Sequence, residues 1–196
     1  RYGTVLSNGS GWGYIDPRTG MVDFSYTGLA RNEFPGDDWY HYWYVENGQI
    51  NFNYNGFVTY TSRYNEPAVC YITGGQADAN VNGVYQLTVN GKTDWYGFWR
   101  GMTDYNEVQM NPNDGSWWYV GNDGVIDFSY TGLAQNEYGW WYVSDGQVDF
   151  NCNGLVNSAY GWWYVSGGRV DDTYTGLVAN EYGWWYVSGG QVDFTY

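Results

Sequence analysis

Tandem repetition limits what this chain can fold into more than any other feature. Gly139-Trp140-Trp141-Tyr142-Val143 recurs at Gly161–Val165 and Gly183–Val187, 22 residues apart each time, and Ser116-Trp117-Trp118-Tyr119-Val120 precedes the first by 23. Between these blocks lie Val148-Asp149-Phe150 and Val192-Asp193-Phe194, then Thr131-Gly132-Leu133 or Thr175-Gly176-Leu177. Looser copies begin at Trp12, Tyr42 and Val69, giving about seven units. They are divergent over 1–84 and regular over 112–196, with 85–111 an irregular insertion or degenerate repeat in one continuous repeat domain. A unit this short cannot close a core of its own, so neighbours must stack. Tyr196 falls inside such a unit, so the chain is expected to be part of a longer one.

The side chains available for that stack are rings. The chain holds 13 Trp, 23 Tyr, 8 Phe and 29 Gly. Aromatic residues favour strands and Gly favours tight turns, so the fold class is all-β. Asp145-Gly146, Gly167-Gly168, Gly189-Gly190, Asn47-Gly48 and Gly74-Gly75 occupy one place in the repeat and tolerate the positive φ angles of a type I′ turn. A turn at Asp145-Gly146 sets Val143 opposite Val148, Tyr142 opposite Asp149 and Trp141 opposite Phe150. Alternation then puts Trp141, Val143, Val148 and Phe150 on one face and Trp140, Tyr142 and Asp149 on the other. An isolated hairpin is marginal in water, so an elongated β-solenoid-like stack is expected, with the Thr-Gly-Leu segment as the connection.

Charge and chemistry-bearing residues exclude several functions. With 7 Lys and Arg against 21 Asp and Glu, the formal net charge is −14, which rules against phosphate-rich nucleic acid partners. No apolar run is long enough to span a membrane. Cys70 takes the place of Trp141, and Cys152 that of Tyr130 or Tyr174, which reads as small hydrophobic replacement. His41 is the single histidine and has no catalytic companions nearby in sequence. Asp23, Asp127, Asp149, Asp171 and Asp193 recur once per repeat, too sparsely for the six to eight oxygens of a calcium site. The expectation is a non-enzymatic chain with no cofactor and no metal.

The order Thr-Gly-Leu-Val, polar stretch, Gly-Trp-Trp-Tyr-Val, Gly turn and hydrophobic strand resembles the cell-wall-binding repeats of Gram-positive bacteria. Choline-binding and glucan-binding repeats belong to that group. The resemblance implies stacked hairpins on an extracellular bacterial surface protein. In its choline-binding branch it implies a ligand held between consecutive hairpins by two Trp and one Tyr, through cation–π attraction. Trp140, Trp162 and Trp184 match the hairpin Trp of that pattern, and Tyr142, Tyr164 and Tyr186 match the Tyr. The Trp that follows Thr-Gly in the family is here Leu133, Leu155 or Leu177, so one wall becomes aliphatic.

Two binding surfaces follow. The first comprises Trp117, Tyr119, Trp140, Tyr142, Asp149, Trp162, Tyr164, Asp171, Trp184, Tyr186 and Asp193, rings with adjacent carboxylates suited to a cell-wall polymer or glycan. The carboxylates have a scaffold alternative, acceptance of local hydrogen bonds. The second uses the non-repetitive part, 31–111, where Trp39, Tyr40, Trp95, Tyr96, Phe98, Trp99 and Arg100 combine residue types favoured at protein interfaces. It would suit an adhesin binding a host protein such as an immunoglobulin or a mucosal glycoprotein.

Overall fold

The computed structural model describes residues 4–7, 9, 11–32, 42–61, 67–89 and 91–195. Packing divides the chain into two units: 1–82 with 89–92 and 98–103, and 83–88 with 93–97 and 104–196. Strands β1 (Thr4–Ser7), β2 (Trp12–Ile15), β3 (Gly28–Asn32), β4 (Tyr42–Glu46), β5 (Gln49–Ile50), β6 (Gly56–Thr61), β7 (Pro67–Thr73) and β8 (Gln76–Ala77) come first. They are followed by β9 (Gly83–Val89), β10 (Lys92–Trp99), β11 (Met102–Thr103), β12 (Val108–Met110), β13 (Trp117–Tyr119), β14 (Gly132–Asn136), β15 (Gly139–Ser144) and β16 (Gln147–Val148). The last are β17 (Gly154–Ser158), β18 (Gly161–Ser166), β19 (Arg169–Val170), β20 (Gly176–Asn180), β21 (Gly183–Ser188) and β22 (Gln191–Val192). No helix occurs among the described residues, so the chain is all-β as its composition demands.

The regular repeat has three strands, not two. Val143 does pair with Val148 across Asp145-Gly146, and both turn residues have positive φ, 50° and 80°. However, the strand after the turn ends at Val148. The Asp149 carboxylate accepts a hydrogen bond from the Asn151 amide at 2.9 Å, and the Cys152 amide bonds back to the Asp149 carbonyl at 3.1 Å. This Asx-type turn reverses the chain before Phe150 can continue the ladder. Trp141 instead pairs with Arg169 of the next repeat. The Thr-Gly-Leu segment, expected as a connection, supplies the long partner strand: Leu133 pairs with Tyr142, Ala134 with Trp141 and Gln135 with Trp140. Leu133 and Ala134, in register with the Trp-Trp-Tyr block, pack against it across the strands, which is why the segment joins the ladder rather than looping past it.

Each short strand joins two repeats: β16 pairs with β13, β19 with β15 and β22 with β18. The second residue of every Gly turn backs onto the preceding repeat. A Cβ at Gly168 would lie 2.5 Å from the Asp149 carbonyl oxygen and 2.9 Å from Phe150 Cα. In that contact the Gly168 amide donates to the Cys152 carbonyl at 2.9 Å, and its own carbonyl accepts from the Tyr142 amide at 2.7 Å. Asn153, or Thr131 and Thr175 in other repeats, closes the first turn position by accepting from the amides of Gly167, Asp145 and Gly189 at 2.9–3.2 Å.

The core consists of many small clusters, one per junction. Val120, Val143, Val165 and Val187 are each fully buried. The Tyr of the aromatic block stacks on the Tyr before the next Leu strand: Tyr119 on Tyr130 at 3.8 Å and Tyr164 on Tyr174 at 4.0 Å. Cys152 holds that Tyr slot beside Tyr142.

Residues 83–103, which overlap the stretch 85–111 read as irregular from the sequence, keep the repeat's order of strand, strand, Gly turn and short strand. Arg100 and Gly101 form the positive-φ turn at 52° and 78°. In the first unit, Leu29 pairs with Tyr44 and Ala30 with Trp43, the register seen at Leu133 and Ala134. Val58 pairs with Cys70, which places Cys70 in the Trp141 slot as read from the sequence. It is fully buried, and desolvation pushes its thiol up to about 12. One departure is local: β3 bonds both β1, in parallel, and β4, closing a circuit β3-β1-β2-β5-β4.

Replacing Gly168 with Ala therefore meets both a positive φ and a backbone wall. It should destabilise the protein by about 2 kcal/mol or more. Gly167→Asn should be nearly neutral, because Asn47 occupies that turn position with φ 51°. Chemical denaturation of the two variants checks the contrast.

Candidate functional site

Because hairpins stack, the two faces of one repeat meet different neighbours. In β14 and β15, Leu133, Trp140 and Tyr142 share one face, while Ala134, Trp141 and Val143 share the other. The first face of one repeat meets the second face of the next. Their junction is a cavity of about 160 Å³ lined by Leu133, Trp140, Tyr160, Trp163 and Val170. Trp140 and Tyr160 meet edge to face at 5.1 Å and 66°. The Trp163 indole is fixed by donation from Nε1 to the Tyr160 carbonyl at 3.1 Å. Leu133 is buried at the back, whereas Trp140 and Tyr160 are 36% and 59% exposed, so the cavity opens to solvent.

The sequence pointed to Trp140 and to an aliphatic wall at Leu133, and both line this cavity. It did not point to Tyr160 or Trp163. Their signal was present: Tyr138, Tyr160 and Tyr182 each stand two residues before the first Trp of a block. Drawing the binding candidates from the Trp140, Tyr142 and Asp149 face alone hid it, since the cavity takes residues from both faces. The same pairing recurs at Trp162 with Tyr182, 6.0 Å apart, and at Trp117 with Tyr138, 5.8 Å apart.

The remaining candidates have varied surroundings. Tyr119 and Tyr164 lie in the Tyr–Tyr stacks, and Tyr142 packs with Leu133, Val156 and Val165. Tyr186 is half-buried, and Trp184 is 74% exposed. Asp149, Asp171 and Asp193 sit in the reversing turns. Asp171 accepts from the Thr173 amide at 3.0 Å and hydroxyl at 2.6 Å, and Asp193 from the Thr195 amide at 2.9 Å and hydroxyl at 2.6 Å. The Thr hydroxyl bonds, followed by the amide bonds, hold both carboxyls below their ordinary value.

Residues of the second surface are dispersed. Trp95 packs on Val84, Val120 and Ile126, and Tyr96 bridges Val125. Phe98 is fully buried. Trp99 is 42% exposed, with the Arg100 guanidinium 5.2 Å from its ring centre. Trp39, Tyr40 and His41 lie outside the described residues.

The depressed Asp values imply acid sensitivity. Their contribution is complete above the unfolded carboxylate value of about 3.9 and is lost as pH falls through the lower folded values. The double variant Asp171→Asn with Asp193→Asn should keep the turns, because Asn51 makes the same bond to the Asn53 amide at 2.9 Å. It should also flatten the loss of stability below about pH 4 in melts recorded against pH.

Comparison with known proteins adds an independent view. The choline-binding repeat family matches residues 112–127, 129–149, 152–171 and 173–193. Among solved structures, the modular autolysin LytC from Streptococcus pneumoniae aligns at 13% identity and TM-score 0.21, over 97% of this chain and 48% of that one. The same autolysin in complex with a synthetic peptidoglycan ligand aligns at 13% identity and TM-score 0.22, over the same shares. The chain thus spans about half the length of that protein. No curated protein sequence matches. The choline-binding repeat model thus matches four consecutive repeats of this chain, all within residues 112–193.

Proposed function

We propose that this chain is a non-catalytic module of the bacterial cell surface that attaches to a choline-bearing cell-wall polymer through an inter-hairpin cavity. The observation that carries this reading is the cavity at Trp140, Tyr160 and Trp163, with Leu133 and Val170 completing it. Three aromatic rings line that space, which suits a small, poorly hydrated cation. A trimethylammonium group has no hydrogen-bond donor, so rings and aliphatic walls satisfy it without polar partners. Each ring contributes about 0.5–2 kcal/mol by cation–π attraction, which makes a single site weak. Within the second unit, pairing of β13 with β16, β15 with β19 and β18 with β22 favours an elongated, solenoid-like stack as the support.

Trp163→Ala removes one wall and should weaken choline binding roughly tenfold, as read from quenching of tryptophan fluorescence during titration. Retention on a choline-derivatised resin should fall in parallel. A folded Trp163→Ala variant that is retained like the parent protein would overturn this reading.

A further inference from the structure

The inter-hairpin ring clusters are not equivalent, and one position separates them. At the junction before the cavity, Trp117, Tyr138 and Trp141 are joined by a fourth ring. Phe150 meets Trp117 at 5.9 Å and 86° and Trp141 at 5.7 Å and 72°, while Trp117 and Trp141 approach to 5.0 Å. The Arg169 guanidinium, 5.9 Å from the Trp141 ring centre, already supplies a cation there. At the junction after the cavity, Phe194 meets Trp185 at 5.8 Å and 71°. Phe also follows the repeat Asp at 24 and 128, and follows Asn51 at 52. In the repeat that forms the cavity, that residue is Asp172.

Backbone register fixes the correspondence. Val165 pairs with Val170 as Val143 pairs with Val148, and the Asp171 amide bonds the Tyr164 carbonyl at 3.0 Å as the Asp149 amide bonds that of Tyr142. Asp172 therefore occupies, beside Trp140 and Trp163, the place that Phe150 fills beside Trp117 and Trp141. It is exposed to solvent. The exchange removes a ring that would fill the junction and sets a carboxylate at the rim of a three-ring cavity.

We propose that Asp172 is the specificity-determining residue of this cavity: its small side chain leaves the cavity open, and its charge selects a cationic ligand over a neutral one of the same shape. This rests on the reading of the cavity as a choline site and adds a charge test to it. The rings alone prefer a cation only modestly, whereas a carboxylate close to the bound ammonium adds a salt-sensitive preference.

The test is calorimetric titration of the whole chain with choline and with 3,3-dimethylbutan-1-ol, its uncharged carbon isostere. The parent protein should bind choline more tightly, and added salt should narrow the difference. Asp172→Asn should weaken choline about fivefold, the scale of an exposed ion pair, and leave the isostere unchanged. Asp172→Phe, which installs the residue found in neighbouring repeats, should abolish binding of both ligands at this cavity. If both variants bind choline like the parent while Trp163→Ala does not, the assignment of Asp172 is overturned and the cavity reading stands. If the parent protein binds neither ligand, both are overturned.

Discussion

Everything in the regular repeats depends on one backbone contact: the Gly turn of each hairpin seated on the reversing turn of the hairpin before it. At Gly168 the seat is the Asp149 carbonyl and Phe150 Cα, too near for any Cβ. The turn's amide and carbonyl are both bonded to the earlier repeat, so this close approach leaves no buried polar group unmet. The same seat recurs at Gly146 on Asp127 and at Gly190 on Asp171. Spacing between hairpins is thereby set by backbone, and side chains fill whatever space remains. Valine suits the narrow places, Tyr–Tyr stacks the wider ones, and a cavity is left where Asp172 replaces a Phe.

Two roles that look alike in sequence are separated by this arrangement. Asp149, Asp171 and Asp193 recur once per repeat because every repeat must reverse direction after its short strand, and a carboxylate or amide oxygen captures the amide two residues on. Asp172 does not recur. A carboxylate that breaks the repeat needs a local explanation, while one that keeps it is explained by the fold.

The sequence made the all-β class, the Gly turns and the Val143–Val148 register legible, because each rests on local chemistry: φ at Asp145-Gly146 and alternation beside it. It misassigned the Thr-Gly-Leu segment, whose partner strand could not be recognised while Val148–Cys152 seemed to fill that role. It found Trp140 but not Tyr160 or Trp163, since cavity membership depends on which face of one hairpin meets which face of the next. That is a property of stacking, and no window of a single repeat contains it. The stretch 85–111 looked irregular because the arms of β9 and β10 are longer and the block reads Trp95-Tyr96-Gly97-Phe98, yet the turn at Arg100-Gly101 follows the common plan.

The Thr or Asn before each Leu strand completes a turn in the following hairpin: Thr131 serves Asp145, Asn153 serves Gly167 and Thr175 serves Gly189. Each repeat thus offers a donor-ready socket at one end and a plug at the other, a head-to-tail joint that does not close on itself. Such a joint makes length a matter of copy number. Duplicating or deleting one whole 22-residue period rejoins plug to socket with every backbone group still met. A change of another size must be absorbed by the strand arms, as in the longer β9 and β10, whose turn glycine Gly101 still seats on the Asp78 carbonyl. A gene encoding this array can therefore lengthen or shorten its product in whole-repeat steps, and vary its valency, without redesigning the fold.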